Sequence, residues 1–402
     1  MNKLSVRDIK VSGKRVLVRV DFNVPLDEAT GKITDDSRIL AALPTIRYLT
    51  EHGARVVLAS HLGRPDGKVV ESLRLTVVAE RLSRLLAKPV AITRDCIGEE
   101  AEAASAALKN GDVLLLENLR FHAAEEKNEP AFAQALSRLA DIYVDDAFGT
   151  AHRSHASIVG ITRFLPAAAG LLLDREIETL GSLLDNPAHP FGMLVGGAKV
   201  SDKVAMLENV MAKADVFLIG GGMAAIFLKA KSCEVGQSLV EKGMTETASR
   251  LINKAAANNV RLLLPVDVVV SDKIAPGARG RVVPVESIPV RTKIVDIGPE
   301  TIEIYRGELA KCRMVFWNGP MGIFEIDQFA AGTRAMAETL AGLEADTIIG
   351  GGSTGEIVTN LGLADKMSFV STGGGASLEF LSGESLPGVE ALLDKNSRIP
   401  GK

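Results

Sequence analysis

Long apolar runs are absent from the 402 residues: none approaches the roughly 18 residues that a membrane-spanning helix needs. Cysteine is scarce. Cys96, Cys233 and Cys312 stand far apart with no CxxC spacing, which argues against a disulfide framework and against a thiolate zinc site. They read most simply as packing residues. No GxxxxGK[ST] stretch occurs, so a Walker-type phosphate loop is excluded. Neither sign of charge dominates; the formal net charge is −4, which argues against a general nucleic-acid binder but leaves room for local basic clusters. The single tryptophan, Trp317, lies in an apolar run and reads as strand packing. The opening stretch, MNKLSVRDIKVSGKRVLVRV, meets charges too often for a secretory signal, so a cytoplasmic chain is expected.

What remains is ordinary globular material, with 47% hydrophobic and 24% charged residues. The length exceeds what one core usually serves, so two domains are expected. Strand-like runs recur, each followed by a helical pattern. In the first half they are RVLVRV (15–20), RVVLAS (55–60), DVLLLE (112–117) and DIYVDD (141–146); in the second, FGMLVGG, DVFLIGG, VRLLLPVD, CRMVFWN, DTIIGGG and MSFVSTGG. Between them lie amphipathic segments such as 75–87, with Val78, Leu82, Leu85 and Leu86 on one face. Strands apolar on both faces that alternate with helices imply an α/β fold of parallel sheets flanked by helices, two Rossmann-like domains. The segment DREIETLGSLLDNPAHP (174–190) reads as a connecting helix stopped by Pro187 and Pro190. The expected division is 1–173, the 174–190 helix, and 191–385.

In such sheets ligands bind beyond the carboxyl ends of the strands, and the two halves differ sharply there. The first collects cations. LVRVDFNVP puts Arg19, Asp21 and Asn23 two apart, on one face of a strand running out at Pro25. Arg38 stands in TDDSRIL, which reads as a helix start. His61 and Arg64 follow in SHLGRPDG, Arg120 and His122 in ENLRFH, and His152, Arg153 and His155 in GTAHRSHAS. Singly, each arginine reads as a solvated charge. Together they form a basic bowl suited to a small polyanion, because arginine forks bind phosphate and carboxylate bidentately. A zinc site from these histidines is disfavoured, since no HxxxH or HExxH spacing occurs and arginine neighbours repel a cation.

The second half collects glycines. LVGGAKVSDK ends a strand at Gly196 and Gly197 and sets Lys199 and Lys203 one helical turn apart. LIGGGMAAIFL, IIGGGSTG and STGGGASLEFL repeat strand, glycines, helix, an arrangement that suits phosphate. Two loops match GxGxxG/A, at Gly220-x-Gly222-x-x-Ala225 and Gly350-x-Gly352-x-x-Gly355, so a nicotinamide dehydrogenase stays open. Against it, several glycine loops exceed what one dinucleotide needs, and two lysines fit phosphoryl transfer better than hydride transfer.

Nine stretches then carry a resemblance: VLVRVDFNVP, SHLGRPDG, LENLRFHAAEEKNEP, DDAFGTAHRSHAS, GGAKVSDK, GGGMAAIFLKA, DIGPETIEIY, FWNGPMGIFE and STGGGASLEF. In this order, over essentially the whole chain, they resemble phosphoglycerate kinase. The resemblance implies reversible phosphoryl transfer from 1,3-bisphosphoglycerate to MgADP, giving 3-phosphoglycerate and ATP, with magnesium entering on the nucleotide. It implies a phosphoglycerate site at Asp21, Phe22, Asn23, Arg38, His61, Leu62, Gly63, Arg64, Arg120 and Arg153. It implies a nucleotide site at Lys203, Gly220, Gly221, Asn318, Glu325 and the loop Gly351, Gly352, Ser353 and Thr354. Arg38, Lys199 and Lys203, with the amides of Gly373, Gly374 and Gly375, would surround the phosphoryl group in flight. The tail 386–402 resembles the family segment that folds back on the N-terminal domain. The two domains are expected to close on their ligands about the 174–190 helix, and two closing domains fit a monomer.

Chemistry agrees with this. In the direction of ATP consumption the attacking group is a carboxylate, already ionised near neutral pH, so no general base is needed. Positioning and charge neutralisation suffice. Asp21 reads as orienting an arginine or accepting a substrate hydroxyl, and Glu325 as accepting ribose hydroxyls. Two positions depart from the family pattern. Ser353 stands where the family usually has an acid associated with the nucleotide's magnesium; the phosphates and water could hold the metal alone, Glu356 could substitute, or MgATP could bind weakly. Asp145 stands where asparagine is common, and its extra charge near Arg153 is expected to weaken anion binding. A catalytically silent binding protein is therefore also open.

Overall fold

The computed structural model describes residues 2–397. The chain divides into two compact units, Met1–Glu178 with Ser385–Lys402, and Thr179–Glu384. The division falls inside one helix, Leu171–Asp185, rather than at its ends.

The first unit is built on a parallel sheet of six strands: β1 (Arg15–Arg19), β2 (Arg55–Ala59), β3 (Val90–Ile92), β4 (Val113–Leu115), β5 (Ile142–Asp145) and β6 (Ala167–Ala169), in the order β3-β4-β2-β1-β5-β6. Val16 and Val18 of β1, Val56 and Leu58 of β2 and Val144 of β5 join one core with Ile39 and Ile46 of the Ser37–Glu51 helix. The 75–87 segment forms the Thr76–Leu86 helix, buries Val78, Ala79 and Leu82, and ends where Ala87 turns left-handed. Leu85 and Leu86 are only partly buried. The strands β3 and β6 were not read from the sequence. One is a three-residue strand with two exposed positions, and the other is three alanines with no β-branched signature.

The tail lies on this unit. Leu4 donates to the Leu393 carbonyl (2.7 Å), Gly388 to Ala151 (2.8 Å), and Lys3 pairs with Asp394 (3.0 Å). Residues 398–402 of the expected tail segment lie outside the described residues.

The second unit holds another parallel sheet: β7 (Phe191–Val195), β8 (Val216–Ile219), β9 (Arg261–Leu263), β13 (Met314–Asn318), β14 (Asp346–Gly350) and β15 (Phe369–Val370), in the order β15-β14-β13-β7-β8-β9. Trp317 is fully buried in the core with Leu194, Leu218 and Ile349 and donates to the Gly319 carbonyl, as expected of packing.

Parallel sheets are not the whole of it. β10 (Asp267–Ser271), β11 (Arg281–Pro284) and β12 (Lys293–Ile297) form a separate antiparallel sheet. The run VRLLLPVD reads as one strand, but the chain leaves β9 before Pro265 and begins β10 at Asp267, since proline has no N–H to give a ladder. Among the described residues no helix is long and apolar enough to cross a membrane.

Candidate active site

In the first sheet β1 lies between β2 and β5, and the chain builds outward in both directions from it. That reversal leaves a crevice beyond the strand ends, where Arg19 and Asp145 stand in register. Arg19 is buried. Its guanidinium donates to Ser157 Oγ (3.0 Å), to the Val20 carbonyl, and to His61 Nδ1 (3.2 Å). A guanidinium only donates, so His61 Nδ1 accepts and Nε2 carries the proton. Burial first, then repulsion from Arg19, Arg120 and Arg38, holds the His61 pKa well below its ordinary value despite the pull of Asp21. His61 is a neutral donor. His155 is held down to about 4 by burial and then by Arg19, Arg120 and Arg153. These shared couplings mean that the arginines converge.

Asp21 Oδ2 accepts from Arg38 Nη1 at 2.5 Å, and Oδ1 accepts the Asn23 amide at 3.1 Å. Desolvation opposes its ionisation, yet the guanidinium charges of Arg38 and Arg19 and the Asn23 amide keep its carboxyl below the usual range. Asp21 thus orients Arg38, one of the two readings open from the sequence. The 61–64 turn is fixed by its neighbours. Asn23 Oδ1 accepts from Gly63 (2.8 Å), and Arg120 Nη1 donates to the Gly63 carbonyl (2.9 Å). Asn118 holds the Leu62 amide and carbonyl and the Arg120 amide together. The sequence reading passed over Asn118, although it stands inside ENLRFH. Phe22 and Leu62 are core residues. Arg64 and Arg153 are exposed, with no side-chain partner among the described residues. His122 leaves the bowl and meets Asp95 at 2.6 Å. With Cys96 they form the only His/Cys/carboxylate cluster of metal-ligand size among the described residues.

Asp145 is where expectation and structure part. It is fully buried, accepts the Ala147 amide through Oδ1 (3.0 Å), and its Oδ2 has no partner among the described residues. Burial pushes its pKa up to about 6 against the pull of Arg19. Its charged neighbour is Arg19, not the exposed Arg153. The carboxylate therefore acts from beneath the bowl.

The second sheet repeats the plan. The chain builds outward from β7 on both sides, so the crevice lies beyond β7 and β13. Lys203 occupies it. Its buried ammonium donates to the carbonyls of Gly196 (2.7 Å) and Asn318 (3.0 Å) and to Asn318 Oδ1. These partners are neutral, and burial lowers its pKa to about 8 against the weaker pull of Asp202. Lys199 and Lys203 are not one helical turn apart. The helix begins only at Val204, after the glycines and a run of turns, so Lys199 is an exposed loop residue.

The glycine loops divide by role. Gly220 and Gly221 are buried, and Gly221, at φ +62°, would put a Cβ 2.6 Å from Gly197 N and the Pro320 carbonyl. Their smallness serves backbone packing. Thr354 is also interior: its hydroxyl accepts the Gly319 amide at 2.7 Å, while Asn318 Nδ2 donates to the Gly350 carbonyl at 2.9 Å. These bonds tie the 351–354 loop to the end of β13. Gly352 and Ser353 are exposed at the start of the Gly352–Asn360 helix, and Glu356 is exposed one turn on. Glu325 is exposed. The Gly373 amide donates to Ser371 Oγ (3.1 Å), and Gly374 precedes the Gly375–Leu381 helix.

Two crevices with different anion chemistry can hold two different anions, a small polyanion among arginines and a nucleotide over glycines and lysine. The comparisons with known proteins bear on which. The family model described as phosphoglycerate kinase matches residues 6–384. A phosphoglycerate kinase of Moorella thermoacetica is 55% identical over 395 residues, 98% of this chain and 100% of the relative. One from a Synechococcus species is 58% identical over 388 residues, 96% of each. Among solved structures, the phosphoglycerate kinase of Coxiella burnetii superposes with a TM-score of 0.86 at 41% identity, covering 97% of this chain and 98% of that one. That of Pyrococcus horikoshii gives 0.84 at 36%, with the same coverage.

Proposed function

The chain belongs to the phosphoglycerate kinase family and catalyses its reaction, reversible phosphoryl transfer between 1,3-bisphosphoglycerate and ADP, and from that premise we propose how its residues divide the work. The dehydrogenase and silent-protein readings lapse. The arginine bowl of the first unit binds the phosphoglycerate: Arg64, Arg120 and Arg153 take the phosphate, and Asn23 and neutral His61 donate or accept around the carboxyl and hydroxyl. Lys203, Asn318, Glu325 and the 351–354 loop of the second unit bind the nucleotide. Arg38, Lys199 and the Gly373–Gly375 amides neutralise the phosphoryl group as it passes. Transfer needs both ligands brought together with water excluded. Each proposed site is built from residues of one chain, which supports a monomer.

The observation that carries this reading is the convergence of arginines about a neutral histidine in one crevice and a carbonyl-held lysine in the other. Positive charge at each anion site, with no side chain needed to take a proton, is what in-line transfer to a carboxylate calls for.

Magnesium enters as part of the nucleotide. The exposed residue at the loop is a neutral hydroxyl, Ser353, with no carboxylate before Glu356. A hard cation prefers charged oxygens, so the phosphates and water hold it, with little help from the loop. The test is ATP consumption with 3-phosphoglycerate while magnesium is titrated. The Ser353→Asp variant is expected to reach half its maximal rate at about a tenth of the magnesium the native chain needs, since one charge-assisted ligand is worth about 1.5 kcal/mol or more. Superimposable magnesium curves would mean that position 353 does not face the metal.

A further inference from the structure

Lys199 lies on an exposed loop, and among the described residues its side chain makes no hydrogen bond or ion pair. Its backbone is another matter. On the N-terminal side Gly197 donates to the Pro320 carbonyl (2.9 Å) and accepts from Met223 (3.1 Å). On the C-terminal side one carboxylate does the holding. Glu241 Oε2 accepts the amides of Val200 (2.7 Å) and Ser201 (3.2 Å), and its Oε1 accepts the Ser201 hydroxyl (2.7 Å). In the chain Glu241 falls between the Gly221–Ala230 and Met244–Ala257 helices. Its own segment is anchored, with its carbonyl accepting the Met244 amide that opens the second helix (3.1 Å).

We propose that Glu241 is a positioning residue for phosphoryl transfer: it clamps the turn after Lys199 and so fixes where that ammonium can reach. This rests on the role given to Lys199 above. A single carboxylate that satisfies two successive amides and a hydroxyl makes a strong, directional clamp, because hydrogen bonds to an ionised acceptor are about twice as strong as neutral ones. Charge contributes as well. Desolvation works against its ionisation, but the Ser201 and Val200 hydrogen bonds, with Lys199 nearby, keep the Glu241 carboxyl below its ordinary range. The carboxylate also offers Lys199 a local counter-charge while no phosphoryl group is present. Glu241 touches neither ligand in this scheme.

A double-mutant cycle on the full chain separates positioning from general structure. Glu241→Ala is expected to lower kcat about 10- to 100-fold, the effect of misplacing a reacting group by about an ångström. The KM for 3-phosphoglycerate should stay unchanged, because that ligand sits in the other unit. Glu241→Gln, which still accepts at Oε1, should recover part of the loss. In a Lys199→Ala background Glu241→Ala should cost nothing further. Equal losses in both backgrounds, or full activity of Glu241→Ala beside a crippled Lys199→Ala, would overturn the inference. A fully active Lys199→Ala would instead remove the role assigned to Lys199.

Discussion

Arg38→Ala is expected to lower kcat about 100- to 1,000-fold while the KM for 3-phosphoglycerate changes little, and Lys199→Ala should do the same. The reason is where each charge acts. Arg38 stands at the second position of the Ser37–Glu51 helix, and Asp21 holds one end of its guanidinium at 2.5 Å. The ion pair engages Nη1, and the fork's other donors remain for a phosphoryl oxygen. In the proposed division of labour, ground-state binding of phosphoglycerate rests on Arg64, Arg120 and Arg153, which the substitution leaves intact. The missing charge is felt when three equatorial oxygens carry the transferring group's charge. Stopped-flow or steady-state rates with both substrates saturating check this. A kcat within a few-fold of the native value in either variant would remove that residue from the transfer step.

The second large effect is a pH dependence. Lys203 has its pKa lowered to about 8 because its ammonium is buried among carbonyls rather than carboxylates. The folded-state value lies below the ordinary one, so the charge is present below about 8 and lost above it. kcat/KM for ATP should therefore fall above that point, roughly tenfold per pH unit. Bound phosphate raises the lysine's pKa by favouring its charged form. The alkaline fall should thus be weaker in kcat than in kcat/KM. Lys203→Met should abolish this limb and lower kcat/KM by about two orders of magnitude. A kcat/KM for ATP that stays flat well into alkaline solution would show that the lysine keeps its proton by other means.

Much of the fold was legible. The strand runs that end in Arg19, Ala59, Val195, Ile219 and Asn318 are apolar on both faces, and burial on both faces is what a parallel sheet requires. The antiparallel sheet was not read, because Pro265 splits a single apolar run and Val282 and Val283 show their alternation over too few residues. The cations of the bowl were read from their positions after strands. Their mutual support was not. The pairing of Arg19 with His61 and the hold of Asn118 on the 61–64 turn join residues 42 and 56 positions apart, beyond any local pattern.

Glycine was the hardest to interpret. A GxGxxA spacing fits a ligand or close packing alike, and here a Cβ on Gly220 would overlap Met321 Sδ and one on Gly222 would lie 3.1 Å from the Ala198 carbonyl. The two lysines misled for a related reason. A spacing of four suggests a helical face, but the left-handed Gly197 and the turns after it delay the helix until Val204. One lysine is thereby free to reach and the other is pinned. Glu241 left no sequence signal, because its partners lie some 40 residues earlier.

Calorimetric titration of each ligand alone into two variants tests the division of labour most directly. Arg153→Ala removes an exposed cation from the bowl and should weaken 3-phosphoglycerate about tenfold or more, leaving ATP unaffected. Lys203→Met should do the reverse. Each substitution acting on its own ligand alone would mean that the two anions are held by separate crevices. Either substitution weakening both ligands in a correctly folded variant would contradict that separation.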